Sequence, residues 1–146
     1  MSSEVNAQQR QLVADRAYHV CEYCLMHEDD TFWGCQIDHI ISRKHGGTSA
    51  LENLAWARAC CNNYKGNDIA TLVGQPPQLS RLFHPRKDRW SDCFRLQGYR
   101  IEPNNTPGTA TEKLLQFNLD SRLRERAALA QTGRYPAIEG LARMKE

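Results

Sequence analysis

Between Cys35 and Gly47 the chain reads CQIDHIISRKHGG, and this run restricts the fold more than any other. Ile37 and Ile40-Ile41 are the residues of a short apolar strand, yet Asp38 and His39 stand between them. An ionisable pair inside such a strand persists only if hydrogen bonds satisfy it or if the strand delivers it to a reaction. A basic turn ending in Gly46-Gly47 follows at once, so the pair lies at the mouth of a chain reversal.

The wider composition restricts the setting. With 146 residues, 40% hydrophobic and 25% charged, the chain can bury one modest core and does not read as disordered. The expected organisation is a single domain over 1–146, with a core segment at 10–70 and a basic, helical extension at 78–146. No apolar run is long enough to span a bilayer, and MSSEVNAQQR lacks the basic and apolar parts of a signal peptide. A cytoplasmic protein with no membrane contact is the expectation. A formal charge of +2 is too small to announce a nucleic-acid partner globally, so any basic surface must be local.

Six cysteines in a reducing compartment are not a disulfide framework. Cys21 and Cys24 form a CxxC, and Cys60-Cys61 follow well downstream; Cys35 and Cys93 read as buried small apolar residues. A lone CxxC is weak evidence for a metal, and a second cysteine cluster strengthens it.

Along the chain, Asn6 caps a helix running to about Tyr18 with Leu12, Val13 and Ala17 on one face. TFWGCQIDHII reads as a strand or hairpin arm, SRKHGGTSALEN as a long loop, and LAWARACCNNYKG as helix-like, with a helix starting near Cys61. Gln75-Pro76-Pro77 marks a break. Beyond it, Arg81, Arg86, Lys87, Arg89, Arg95 and Arg100 face only Asp88 and Asp92, and Phe94 to Ile101 alternates around Gly98 as a hairpin. Thr109 to Phe117 and Ser121 to Gln131 read as helices, the second carrying Leu123, Ala127 and Leu129-Ala130. Trp33, Trp56 and Trp90 read as core or base-of-loop aromatics, His19 and His84 as structural, and His27 as exposed or marginal.

Taken in order, CEYC (21–24), DH (38–39), KHGG (44–47), ENL (52–54) and CNNYKG (61–66) resemble the HNH endonucleases, the ββα-metal nuclease family. The resemblance covers about residues 10–70, and FHPRKDRWSDCFR is similar to an extension of some bacterial members. It implies an α+β fold: a small ββα-metal core with an N-terminal helix and a C-terminal extension of hairpin and helices. The implied activity is metal-dependent hydrolysis of DNA phosphodiester bonds, by nicking or cleavage. On that resemblance His39 is the general base, since an imidazole titrates near neutral pH. Asn53 fixes the loop that sets the imidazole. Asp38 and Asn62 hold one divalent cation, and two oxygen donors favour a hard ion such as Mg²⁺ or Mn²⁺. Arg43, Lys44, His45, Lys65 and the segment with Arg86, Lys87 and Arg89 would meet DNA phosphates, although a solvated loop, a helix end capped by Gly66 and a bracing hairpin are the plainer readings of these residues.

Two positions depart from the family pattern. Members with a zinc knuckle carry a second CxxC, which would fall at 58 and 61; here Arg58 replaces the first cysteine and Cys60 stands beside Cys61. Neighbours on a helix diverge by about 100°, so structural Zn²⁺ on Cys21, Cys24 and Cys61 would need Cys60, His27 or water as fourth donor, and the reading leans toward packed thiols without tightly bound zinc. Ser42 stands where relatives often have proline. The alternative function is a non-catalytic nucleic-acid-binding module on the same fold; the retained His39 argues against it.

Overall fold

The computed structural model describes residues 4–146. Asn6 caps α1 (Ala7–Arg16) by accepting from the Gln9 amide while the Gln9 side chain accepts from the Asn6 amide. This reciprocal pair satisfies two of the orphan donors at a helix start. Val13 and Ala17 face the core as expected, whereas Leu12 lies on the solvent side at 48% exposure. The chain then makes a tight reversal through Cys21–Cys24, closed by a bridge between Val20 and His27 and by the Cys21 amide on the Met26 carbonyl.

β1 (Cys35–His39) pairs antiparallel with β2 (Leu54–Arg58), and α2 (Ala59–Lys65) follows without a break. The helix-like reading of 54–58 is corrected here. Those residues form a strand buried on both faces, because the partner strand supplies their hydrogen bonds and α1 and α2 pack against them. Two-sided burial erases the alternation that distinguishes a strand from a buried helix. The β1–β2–α2 unit is the ββα core of an α+β fold.

Two further antiparallel pairs complete the sheets among the described residues: β3 (Ala70–Val73) with β4 (Gln78–Arg81), and β5 (Phe94–Gln97) with β6 (Arg100–Pro103). Gln75-Pro76-Pro77 is thus the turn of a hairpin, not a break between units. A single turn, α3 (Trp90–Cys93), precedes β5, and α4 (Thr106–Leu115), α5 (Asp120–Gln131) and α6 (Ile138–Met144) follow β6. Asn105 caps α4, which therefore starts three residues before the expected Thr109. Apolar residues from both halves share one core: Val13, Tyr23, Leu54 and Trp56 pack in the same cluster as Phe83, Trp90, Phe94 and Phe117.

α5 adds a second point that the sequence pattern did not show. Its fully buried positions are Arg122 and Arg126, not an alanine-leucine face. Arg122 donates to the Leu115 carbonyl at 2.5 Å, and Arg126 donates to the carbonyls of Tyr99 at 2.7 Å and Phe117 at 2.8 Å. Their planar donor forks satisfy backbone oxygens that would otherwise be buried bare. Trp33 is a further correction. It is 78% exposed and Phe32 87%, each ring resting edge-on against the other at 4.8 Å, while Trp56 and Trp90 are buried.

Candidate active site

The loop between β1 and β2 is built around Asn53. Its Oδ1 accepts from the Ile41 amide at 2.9 Å, and its Nδ2 donates to the carbonyls of Ile41 at 2.9 Å and Thr48 at 2.7 Å. A buried side chain thus ties the two ends of the loop together, each bond contributing on the order of 1 kcal/mol. Gly47 is required at the same spot. A Cβ there would stand 1.7 Å from the Ile41 carbonyl oxygen and 2.9 Å from the Asn53 amide. The clasp orients what precedes it: the His39 Nε2 lies 2.9 Å from the Ser49 hydroxyl.

Partial burial holds the His39 imidazole below its ordinary 6.5; Asp38 pulls it up, and Arg43 and Lys65 push it down. The ring is therefore neutral at pH 7 and can accept a proton. Asp38 is only 2% exposed, and both oxygens are engaged: Oδ2 accepts from the Tyr23 phenol at 2.5 Å and Oδ1 from the Lys65 ammonium at 3.1 Å. Burial raises the Asp38 pKa, opposed by the Lys65 charge and then by the Tyr23 hydrogen bond. Burial and the neighbouring carboxylate keep the phenol protonated.

Lys65, expected on phosphate, is 1% exposed and turned inward. Its ammonium also donates to the His39 carbonyl at 3.1 Å. An ammonium leaves water only for strong local partners, and Asp38 with that carbonyl supplies them.

Asp38, His39 and Asn62 line one cleft of about 290 Å³ with Ser42, Arg43 and Gly66. Asn62 Nδ2 donates to Gln36 Oε1 at 2.9 Å, which leaves its carbonyl oxygen for another partner. In the sequence Ser42 stood out only as a position where relatives often have proline. Its hydroxyl is buried without a hydrogen-bond partner and borders the same cleft. The donor set of carboxylate, amide oxygen and unpaired hydroxyl is all oxygen and suits a hard divalent cation, since each carboxylate oxygen keeps a second lone pair. Arg43, Lys44 and His45 form an exposed turn at the rim. Lys87 and Arg89 are exposed elsewhere, whereas Arg86 turns inward to Glu22.

The cysteines divide. The sulfurs of Cys21, Cys24 and Cys61 lie within 4.8 Å of one another, all buried, and this spacing admits a metal such as zinc. Cys60, considered as a fourth donor, is outside the group and partly exposed, as the divergence of successive helical residues dictates. His27 is also outside it, occupied by the Asp29 amide and close to Glu139, and its side chain is largely covered. Arg58 pairs with Glu125, and Arg122 Nη2 stands 3.0 Å from Cys61 Sγ. Hydrogen bonds from Cys21 and Cys61, followed by the charges of Arg122 and Arg58, pull the Cys24 thiol well below its usual value.

No curated protein and no solved structure matches the chain. A protein-family model does, that of the HNH endonucleases, and the residues it matches are 21–68. That span runs from the first knuckle thiol past the end of α2, and so takes in the strand pair, the asparagine clasp and the cleft. Residues 21–68 of this chain are therefore similar to an HNH endonuclease domain, a family of nucleases in general.

Proposed function

We propose that the chain hydrolyses DNA phosphodiester bonds with His39 as general base and one divalent cation held by Asp38 and Asn62. The observation that carries this reading is the convergence of a neutral imidazole and two cation-binding oxygens on one open cleft. His39 takes the proton of the attacking water, and the Asn53 clasp and Ser49 hold the ring in place. Asp38 and the Asn62 oxygen would bind the cation, which supplies Lewis-acid stabilisation of the phosphate and leaving oxygen when bound. Ser42 offers its hydroxyl to phosphate or to water in the cleft. Arg43, Lys44 and His45 meet neighbouring phosphates, with Lys87 and Arg89 as a second exposed basic group.

The deciding experiment is plasmid nicking with Mg²⁺ or Mn²⁺, comparing the full chain with His39→Ala. Metal-dependent nicking lost in the variant supports the assignment. Retained DNA binding without cleavage in either protein would instead identify a binding module, for which the protein-held carboxylate of Asp38 is the favouring observation.

A further inference from the structure

Away from the HNH cleft, a second cleft of about 460 Å³ gathers Arg16, Arg86 and Arg143 with Tyr18, Pro85 and Glu146. The three guanidinia come from the end of α1, the segment before α3, and α6. Two of them share one oxygen of one carboxylate: Arg143 donates to Glu22 Oε1 through Nε at 3.0 Å and Nη2 at 2.7 Å, and Arg86 donates to the same atom. The other Glu22 oxygen accepts from the Trp56 amide at 2.7 Å. Arg16 contacts no carboxylate directly; its Nη2 serves the carbonyls of Leu51, at 2.9 Å, and Leu54. The one further acid lining the cleft, Glu146, accepts from the Tyr18 hydroxyl.

Positive charge thus exceeds negative within the cleft, and part of its donor capacity is unused. The Nε of Arg16 and the Nε of Arg86 are buried with no hydrogen-bond partner. Bare guanidinium donors beside an open space are costly, and neighbouring like charges add to the cost. A planar fork of this kind matches the oxygens of a phosphate.

We propose that this cleft binds a phosphate-type oxyanion, presented as free phosphate or as a phosphate group of a nucleic-acid strand. The site is separate from His39 and the Asp38–Asn62 pair and does not rest on their chemistry. It does touch the nuclease core, because Arg16 holds the carbonyls on either side of the Asn53 clasp.

The test titrates inorganic phosphate into the full chain, followed by calorimetry, and separately titrates an oligonucleotide in the absence of divalent cation. Arg86→Gln and Arg16→Gln should each weaken phosphate binding by about tenfold, and Glu146→Gln should tighten it by a few-fold by removing the competing carboxylate. If only oligonucleotide affinity responds in this pattern, a strand phosphate is the ligand; if only inorganic phosphate responds, a free phosphate is. Should Arg86→Gln fail to fold for want of its Glu22 contact, Arg16→Gln and Glu146→Gln carry the comparison. Phosphate and oligonucleotide affinities unchanged across these variants, or no binding of either to the wild type, would overturn the proposal.

Discussion

Helix α2 carries a buried cation partner at each end, and the two differ in one respect. At its C-terminal end Lys65 reaches Asp38; near its N-terminal end Cys61 receives Arg122 from α5. Both pairs remove charge from water, yet Asp38 borders an open cleft whereas the thiols of Cys21, Cys24 and Cys61 are sealed on every side. An anion beside a cleft can exchange its internal cation for an external one. The sealed cluster, in which the Cys24 thiol is pulled down and the Cys61 thiol pushed up, keeps the cation the fold gave it. One buried cation stands beside open space and the other is enclosed by packing.

The contrast is sharpened first by the base. His39→Ala should lower cleavage by about 10²–10⁴-fold while the melting temperature stays within error, and Cys24→Ser should do the reverse in direction. Rates at wild-type level in His39→Ala would remove the open cluster from chemistry. The next largest effect is on stability. Lys65→Met should cost about 3–5 kcal/mol in chelator, since it leaves the buried Asp38 carboxylate without its cation. Arg122→Met should cost a similar amount, since it removes the charge that helps hold the Cys24 thiol down. Adding Mg²⁺ should return part of the Lys65→Met loss, because a ligand that binds only the native state stabilises it. It should return none of the Arg122→Met loss. Equal recovery in chemical denaturation would erase the distinction between open and sealed.

The pH profile follows from the sign of the His39 shift. Its folded-state value lies below 6.5, so the protonated, inactive ring accumulates only under more acid conditions. Cleavage should be flat near pH 7 and fall about tenfold per unit below the folded value. An acid limb centred above pH 7 would contradict the neutral setting of the ring. The smallest effect is expected at Cys60. Cys60→Ser should change stability by under about 1 kcal/mol, and Cys61→Ser by clearly more. Elemental analysis of both proteins should find zinc well below one per chain, with Arg122 supplying the compensating charge. One zinc per chain, lost only in Cys61→Ser, would show that a metal holds the thiols.

Much of the core was legible because its determinants are local. Asn6 as a cap, the hairpin around Gly98 and the Asp38-His39 pair announce themselves over a few residues, through capping, turn and strand chemistry. Asn53 bonds the loop backbone at Ile41 and Thr48. Illegibility began where burial was two-sided or polar. Leu54–Arg58 lost its alternation to burial on both faces, and α5 buried Arg122 and Arg126, which no apolar pattern marks. Trp33 shows the opposite failure, an aromatic left in water beside Phe32.

By itself the sequence determined which groups are available: an imidazole beside a carboxylate, an asparagine after the last thiol, a CxxC, and a loop whose Gly47 leaves space for a carbonyl. Tertiary structure alone decided which charge neutralises which. Lys65 meets Asp38 across 27 residues, Arg122 meets Cys61 across 61, and Arg143 meets Glu22 across 121. Ion pairing has no periodicity along a chain, and a buried cation selects whichever anion the packing leaves unsatisfied. Only the folded core settles that choice.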